Sequence, residues 1–377
     1  MRALRVVLLA ASAFIVSVAR AADPGITDTS ITLGMSAPFH GPNGAIGLEM
    51  KEAISAYFEQ VNAAGGVQGR QLRLVALDDG YTPDRAAANT RQLIGDHQVF
   101  ALVGYCGDES VASASQVYSQ ARVPMIGGVS GAEALRRPAN RYTFAVRAGY
   151  ADETTAIVRQ MLTIGITRVA VLYQNDSFGK SGLEGVVHGL KQSGLAPVAA
   201  MAVERGSLDM AAAAEAIARA EPQAVVMVAP YKPAAEFMKL MRAAGQRPRY
   251  LAVSTVGVDQ LISLMGEDAR GIGLSQVMPY PWNDTVPVVR EYQRLLPQAD
   301  ASAYSYSGLE GYVTAKLMVD ALRRLGRDLT RDKLVQVLES MRNHDLGGFR
   351  VNYSPGDHNG SRFVDLTVIG QGGRVRR

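Results

Sequence analysis

The 377-residue sequence contains a single cysteine, Cys106, a single tryptophan and only five histidines. One cysteine excludes an intramolecular disulfide framework. The histidines and the cysteine show neither H-x-x-x-H nor C-x-x-C spacing, so no zinc site is predicted. The sequence also has no G-x-x-x-x-G-K-[ST] motif, and no G-x-G-x-x-G lies in its first strand-to-helix turn. We therefore expect neither a metal nor an organic cofactor.

Long apolar runs are also scarce. One run, from Val6 to Val18, follows Arg2 and Arg5 and precedes the small-x-small triplet Ala19-Arg20-Ala21. This is the pattern of a secretory signal peptide. The run is shorter than the roughly 20 residues that a membrane-spanning helix needs. We therefore predict that residues 1–21 are a cleaved signal peptide and that the mature chain lies in the periplasm.

The mature chain has almost no excess of either charge. Removing the three arginines of the signal peptide leaves 36 Lys and Arg against 35 Asp and Glu. This balance indicates neither a nucleic-acid partner nor a membrane surface as partner. The remaining 356 residues are too many for one typical core and suit two domains. A monomer is expected.

Short β-rich runs alternate with amphipathic helical runs. Residues 30–38 precede a helical run at 47–66, and residues 71–79 precede another at 83–97. Strands separated by helix-length crossovers predict parallel sheets with helices on both faces. A second series begins after residue 153, and the pattern turns helical past residue 282. The predicted fold class is α/β, with two Rossmann-like lobes joined by a hinge.

The segment MIGGVSGAEALRRP, residues 125–138, allows two kinds of chemistry. Its apolar start breaks at Gly127-Gly128 and then has the pattern of a helix start. Ser130 lies in a sequence close to the G-x-S-x-G nucleophile elbow, but Ala132 replaces the last glycine, and a hydrolase would need a later acid and histidine. Alternatively, Ser130 belongs to an anion cradle, because first-turn N–H groups lack intrahelical partners. The three later histidines lie in a helical run or in polar turns, which favours the cradle.

Small polar and aromatic residues follow the predicted strands, at the edge where open parallel sheets form their ligand crevice. Hydroxyls, N–H groups and rings at these places suit a small carboxylate with an apolar body. The candidate ligand-binding residues are Phe39, Tyr105, Cys106, Gly107, Val129, Ser130, Gly131, Tyr150, Ser177, Phe178, Tyr231, Ser254 and Thr255.

Several segments resemble a known family. They include VNAAGGVQGRQL followed by DD, ALVGYCGDESVASA, VPMIGGVSGAEALR and VAVLYQNDSFGKSGLEG. The chain, from about residue 26 to its end, is similar to the Leu/Ile/Val-binding type of periplasmic substrate-binding proteins of ABC importers, which have the type I periplasmic-binding fold. The resemblance implies a non-catalytic protein that closes on a ligand and delivers it to ABC permease subunits. It also implies a first lobe of residues 22–147 plus about 281–352, and a second of 148–280 plus about 353–377.

The resemblance further implies roles for single residues. Family members hold the ligand carboxylate with the first lobe, which corresponds here to Cys106–Gly107 and Val129–Gly131, and Tyr231 matches an aromatic residue of the second lobe. In amino-acid-binding members an acid holds the ammonium group, but Ser254 stands at that place. The ligand is thus expected to be a branched-chain or hydrophobic amino acid, or an aromatic or aliphatic acid. It should carry a carboxylate and need no α-ammonium, unless Asp176 or Glu310 supplies the acid.

Two alternatives remain open at this point. A ligand sensor of the same fold would present its closed form to a signalling protein instead of a transporter. A secreted serine hydrolase would use Ser130 as its nucleophile.

Overall fold

The computed structural model describes residues 23–41, 43–296 and 303–377. The predicted signal peptide, residues 1–21, lies outside these described residues. The chain forms two α/β lobes with separate central sheets, so the predicted fold class is confirmed. Among the helices of the described part, none combines the length and the apolar character needed to cross a bilayer.

The first lobe begins with a parallel sheet whose buried strands lie between helices. In-register pairing of the first two strands sets Ala37 beside Asp78, so their carboxyl ends reach the same edge. The strands are β1 (Ser30–Ala37), β2 (Gln71–Asp78), β3 (Ala101–Val103), β4 (Met125–Ile126) and β5 (Thr143–Phe144), in the spatial order β2-β1-β3-β4-β5. The helices are α1 (Gly44–Ala63), α2 (Pro83–Gly95) and α3 (Asp108–Gln120).

The second lobe repeats this construction after the chain crosses from β5. Its strands are β6 (Val169–Gln174), β7 (Ala199–Val203), β8 (Ala224–Val228), β9 (Arg249–Ala252) and β10 (Gly273–Gln276). Its helices are α4 (Tyr150–Thr163), α5 (Ser177–Lys191), α6 (Ala211–Arg219), α7 (Tyr231–Ala243) and α8 (Val258–Met265). All five strands pair in parallel, in the order β10-β9-β8-β6-β7.

The chain then returns to the first lobe and crosses once more. The returning elements are α9 (Pro287–Arg294), α10 (Tyr306–Leu325), α11 (Arg331–Ser340) and the hairpin of β11 (His344–Asp345) and β12 (Arg350–Val351). The last strands, β13 (Asp365–Ile369) and β14 (Val375–Arg376), join the second sheet beside β10. The chain therefore passes three times between the lobes. The lobe boundaries near residues 147, 280 and 352 stay a prediction.

Two local expectations differ from the structure. Both sheets were expected to be parallel, but β13 pairs antiparallel with β10, and β14 antiparallel with β13. The helix expected after Ser130 is only a 3₁₀ turn, Glu133–Leu135. Pro138 cannot continue a helix, and it also disfavours helical geometry in the residue before it.

The returning helix α10 anchors the first lobe by packing against α1. Gly311 of α10 lies so close to α1 that a Cβ atom would come within 2.7 Å of the Met50 carbonyl oxygen and 2.8 Å of Met50 Cα. Both atoms belong to backbone, which cannot rotate away as a flexible side chain can. The absence of a side chain at Gly311 thus sets the distance between these two helices.

Replacing Gly311 by alanine should lower the free energy of unfolding by about 1–3 kcal/mol, because the added methyl group forces the helices apart. Gly95, at the end of α2, is the matched control, since its added Cβ would meet no atom within 4 Å. Gly95→Ala should be neutral or stabilising. Urea unfolding measures both variants, and equal effects would contradict this account of the α1–α10 contact.

Candidate ligand-binding site

Three neighbouring cavities lie between the lobes, at the carboxyl ends of the strands. The Asp108 pocket has a volume of about 10 Å³ and includes Asp108, Tyr150 and Phe178 in its lining. The Arg147 pocket, of about 20 Å³, includes Arg147 and Tyr306. These two pockets share Ile46, Val129 and Thr255. The outer cavity, of about 400 Å³, shares Tyr81 with the Asp108 pocket and contains Tyr231 and Arg205.

The Asp108 pocket is built around the first residue of α3. Asp108 is 4% exposed. Its Oδ1 accepts a hydrogen bond from the Ser130 hydroxyl, and its Oδ2 accepts one from the Tyr150 hydroxyl at 3.0 Å. Burial raises the pKa of Asp108 to about 6, and the two hydroxyl donors partly oppose that shift. The donors expected to cradle a ligand carboxylate thus hold a carboxylate of the chain itself.

A glycine allows this crowded arrangement. Gly107 precedes α3 with a φ of +96°, and a Cβ there would lie 2.6 Å from the Tyr81 ring. Only glycine tolerates both the backbone conformation and the ring contact. The chain can therefore start α3 directly beneath Tyr81, which places Asp108 at the cleft.

The Arg147 pocket is centred on an ion triad that spans the lobes. Arg147, in the passage between β5 and α4, is 2% exposed. Its Nη2 lies 3.6 Å from Glu153 Oε1 of α4, and its Nη1 lies 3.6 Å from Glu310 Oε2 of α10. Burial alone would lower the pKa of Arg147, but Glu310 and Glu153 raise it above its ordinary value. Burial raises the pKa of Glu310, and Arg147 partly opposes that shift.

Glu153 supplies the negative charge that the sequence does not show at Ser254. Its Oε2 accepts a hydrogen bond of 2.8 Å from the Ser254 N–H and one of 2.6 Å from the Ser275 hydroxyl. Its Oε1 accepts one of 3.1 Å from the Ser254 hydroxyl, which also contacts Arg147 Nη2. The place expected to lack an acid is thus bonded to a fully buried one on another helix.

A second buried arginine fixes the segment that carries Ser130. Arg136 Nη2 donates to the carbonyl oxygens of Ser130, Arg147 and Ala148 at 3.0–3.1 Å. Its Nη1 donates to Asn359 Oδ1 at 2.9 Å. Arg136 therefore ties the cleft segment to two of the interlobe passages.

Contacts at the mouth of the cleft hold the lobes together. Arg205 of the second lobe donates to the Tyr81 carbonyl at 2.7 Å, and its guanidinium lies 4.4 Å from the centre of the Tyr81 ring. The Ser177 N–H donates to Glu109 Oε1 at 3.1 Å, at the facing starts of α5 and α3. The lobes are therefore in direct contact around the cavities.

This geometry coincides with clear similarity to known proteins. A model of the family described as periplasmic binding protein matches residues 30–374, which is nearly the whole chain. The chain belongs to the periplasmic binding protein family. Its relatives place it with the Leu/Ile/Val-binding type of that family, as the resemblance in the sequence implied.

Three relatives of the periplasmic binding protein family illustrate the match. A substrate-binding periplasmic protein from Ralstonia solanacearum is 31% identical, with a TM-score of 0.85, covering 92% of this chain and 99% of that one. A possible leucine/isoleucine/valine-binding protein from Rhodopirellula baltica is 29% identical, with a TM-score of 0.85, covering 95% and 98%. An amino acid binding protein from Pseudomonas aeruginosa is 24% identical over 241 residues, which is 63% of either chain.

The structure places most of the predicted ligand-binding residues at the cavities. The Asp108 pocket includes Cys106, Gly107, Val129, Tyr150, Phe178 and Thr255. Ser254 lines the Arg147 pocket, and Tyr231 the outer cavity. Ser130 and Gly131 support the Asp108 pocket from behind, since Ser130 bonds Asp108 and a Cβ on Gly131 would lie 2.5 Å from the Tyr150 ring.

Three predicted residues lie elsewhere. The Tyr105 side chain is buried in the core of the first lobe, where its hydroxyl is 2.9 Å from Thr90 Oγ1, so its ring does not reach the cleft. Phe39 lies under Lys51, whose Nζ is 4.9 Å from the ring centre, and lines none of the three cavities. Ser177 lies at the rim, where its backbone binds Glu109.

Sequence reasoning missed the charged residues that dominate the site. Asp108 directly follows the predicted Cys106–Gly107, but it has the pattern of an ordinary first-turn helix acid. A signal for Arg147 exists in the sequence, since this arginine interrupts the apolar run Phe144-Ala145-Val146. Of the two acids proposed as substitutes, Glu310 lies in the triad, whereas Asp176 caps α5 and pairs with Arg205 at 3.4 Å.

A serine hydrolase needs a histidine hydrogen-bonded to its nucleophile, and the described residues place none in that position at Ser130. All five histidines are in the described residues, and none is hydrogen-bonded to the Ser130 hydroxyl, whose partner is Asp108. His358 binds the Asn140 carbonyl at 2.9 Å, His344 binds Asp320 and His188 binds Gln192. Burial raises the pKa of the Cys106 thiol, so this residue lacks the thiolate of a nucleophile. In the described part of the chain no group of three or more His, Cys, Asp or Glu is arranged to hold a metal ion.

Removing the Arg147 charge should strongly destabilise the protein. Arg147→Met leaves Glu153 and Glu310 buried without their cation, for which we expect a loss of about 3–5 kcal/mol in the free energy of unfolding. Adding Glu310→Gln should recover part of the loss. The control is Arg141→Met, because Arg141 and its partner Asp332 are 57% and 62% exposed and should contribute less than about 1 kcal/mol. Similar losses for Arg147→Met and Arg141→Met would show that the triad does not hold the lobes.

Asp108 should make stability depend on pH. Because its pKa is higher in the folded protein than in the unfolded chain, the folded state binds more protons between about pH 4 and 6, and its stability falls as pH rises through that range. Asp108→Asn removes this loss. In unfolding experiments, the variant should equal the wild type near pH 4 and exceed it by roughly 3 kcal/mol at pH 7. A constant difference across the range would contradict the burial of an ionisable Asp108.

Proposed function

We propose that this chain is the extracytoplasmic solute-binding component of an ABC importer and that its cleft takes a small amino acid. The family, the two-lobed architecture and the position of the cavities support this role. The relative from Rhodopirellula baltica is described as a possible leucine/isoleucine/valine-binding protein, and that from Pseudomonas aeruginosa as an amino acid binding protein. Periplasmic localisation and the signal peptide at residues 1–21 belong to the same proposal.

One observation supports an amino acid as the ligand: residues with buried polar atoms that lack hydrogen-bond partners line the Asp108 pocket and the Arg147 pocket. Arg147 Nε is a donor, Asn43 Oδ1 and Glu310 Oε1 are acceptors, and the Tyr306 hydroxyl can donate or accept. Each unsatisfied buried group costs about 1–3 kcal/mol. A zwitterion would satisfy both kinds, its carboxylate accepting from Arg147 and Tyr306 and its ammonium donating to the acceptors.

The balance of charge favours an amino acid over a deaminated acid. Three acids, Asp108, Glu153 and Glu310, surround the cleft, against the two buried arginines Arg147 and Arg136. A ligand with only a carboxylate would bring a further negative charge to a site that is already negative, where desolvation makes repulsion costly. The expectation that the ligand needs no ammonium depended on a missing acid at Ser254, and Glu153 and Asp108 remove that reason.

The side chain of the ligand has room in the outer cavity. Its wall includes the rings of Tyr81 and Tyr231, the prolines Pro230 and Pro233, and Leu208. A volume of about 400 Å³ lies within the range of small-molecule sites. Apolar and aromatic walls suit a branched aliphatic or aromatic side chain.

An amino acid should stabilise the protein and close the lobes. At a concentration a hundred times its dissociation constant, it should raise the free energy of unfolding by roughly 2.7 kcal/mol, since it binds only the folded state. A thermal-shift panel of amino acids, aromatic acids and aliphatic carboxylates, with neutral sugars as controls, identifies the ligand. The lobes are already in contact in this structure, so closure on the ligand requires an open ligand-free form in solution with a larger radius of gyration. Small-angle scattering should show that larger radius without ligand and a decrease at saturation.

Two outcomes would contradict this proposal. Stabilisation by the sugars alone would exclude an amino acid site, and an unchanged radius of gyration would exclude closure on the ligand. The importer role needs a separate measurement: the loaded protein should stimulate ATP hydrolysis by an ABC permease complex from the same organism, reconstituted in proteoliposomes. A ligand sensor of the same fold would bind and close without that stimulation.

A further inference from the structure

The acid in the Asp108 pocket has no cationic partner. In the described parts of the chain, no Lys, Arg or His nitrogen lies within 4.0 Å of the Asp108 carboxylate, whose partners are the hydroxyls of Ser130 and Tyr150. By contrast, the nearby acids Glu153, Glu310 and Asp176 each pair with an arginine. A buried charge without a counter-charge is costly and is retained where function requires it.

The walls of the Asp108 pocket offer acceptors. Asn43 is 5% exposed, and its Oδ1 has no partner. The Thr255 hydroxyl interacts with the Tyr150 hydroxyl and keeps lone pairs that can accept a further hydrogen bond. No Lys, Arg or His belongs to the lining that the described residues provide. Together with Asp108, these atoms make three acceptors, the number that matches the three N–H donors of a primary ammonium group.

Aromatic rings complete the pocket. Tyr81, Tyr150 and Phe178 all line it, and the centres of the Tyr150 and Phe178 rings are 5.3 Å apart. The faces of such rings attract a cation, more strongly when water is excluded. An anion in the same place would meet the negative ring faces as well as the charge of Asp108.

We propose that Asp108, with Asn43 and Thr255, binds the primary ammonium group of the solute, so that the ligand lies with its amine toward the first lobe and its carboxylate toward Arg147. This inference rests on the proposed solute-binding function. It reverses the orientation that the family resemblance implies, in which the first lobe holds the carboxylate. The Ser130 hydroxyl then orients Asp108 and does not touch the ligand carboxylate.

The test compares ligands that differ only in their amine or carboxylate. Calorimetry at pH 7.5 on the full mature chain uses L-leucine, 4-methyl-2-oxopentanoate and 3-methylbutylamine, together with L-phenylalanine, phenylpyruvate and phenethylamine. The better amino acid should bind the wild type roughly 30-fold or more tightly than its oxo acid, and Asp108→Asn should lose that preference. Asp84→Asn, which removes an exposed first-turn acid from α2, should keep it.

A measurement on the wild type avoids dependence on the variant. Because Asp108 must be ionised to hold the ammonium, affinity for the amino acid should fall about tenfold from pH 7.5 to pH 5, given its pKa of about 6. Arg147 lowers and Asp176 raises that pKa, and the facing Tyr81, Tyr150 and Cys106 stay neutral because burial raises their own pKa values. Affinity of Asp108→Asn should not change over this range.

The outcomes separate this inference from the proposed function. If Asp108→Asn keeps the preference for the amine while Glu310→Gln loses it, the ammonium lies at Glu310, and the inference is wrong although the protein still binds amino acids. Tighter binding of the oxo acids by the wild type also overturns it. Binding of none of the six probes overturns both the inference and the amino acid ligand.

Discussion

The contact on which the two-lobed arrangement depends is the buried guanidinium of Arg147. It lies in the first passage between the lobes and faces Glu153 in one lobe and Glu310 in the other. Because the Arg147 cation pairs with one carboxylate from each lobe, neither lobe contains the complete triad by itself. The same triad lies beside Ser254 and forms a wall of the cleft, so the relative position of the lobes and the charge of the site are set together.

The charged groups of the cleft are distributed over two adjacent pockets, the Asp108 pocket and the Arg147 pocket. Asp108 adds a negative charge in its pocket, and the adjacent pocket contains Arg147, whose Nε has no hydrogen-bond partner, together with Glu310. The α3 dipole and the hydroxyls of Ser130 and Tyr150 lower the cost of burying Asp108 but leave its charge without a cation. The Ser130 segment, whose sequence predicts a site for a ligand anion, thus donates its hydroxyl to the Asp108 carboxylate of the chain itself.

Much of the fold was accessible from the sequence because its elements follow strong periodic patterns. Helices α1 and α2 match the predicted runs at 47–66 and 83–97 to within a few residues, since their apolar faces pack against neighbouring elements. The helix expected after Ser130 is stopped by the local effect of Pro138, whereas the antiparallel pairing of β13 and β14 depends on tertiary contacts. Patterns of single residues do not carry such information.

The site was only partly accessible for a different reason. Residues at strand ends, such as Cys106 and Val129, could be found because sheet topology brings those ends together. No comparable rule predicts which charged side chains reach the cleft from helix α4, from α10 or from the interlobe passage. Glu153 lies 101 residues before the serine that it binds, and nothing in either local sequence links them. The sign of the charge in the cleft therefore became visible only in three dimensions.

The interleaving of the lobes along the chain also bears on how the protein is made. The first lobe needs α10, which packs on α1 from more than 240 residues downstream, and the second sheet needs β13 and β14 at the end of the chain. Neither lobe can complete its core while the ribosome still holds the last segments. The nascent chain thus remains without a finished lobe until β14 has left the ribosome, and its apolar strands stay accessible to chaperones until then.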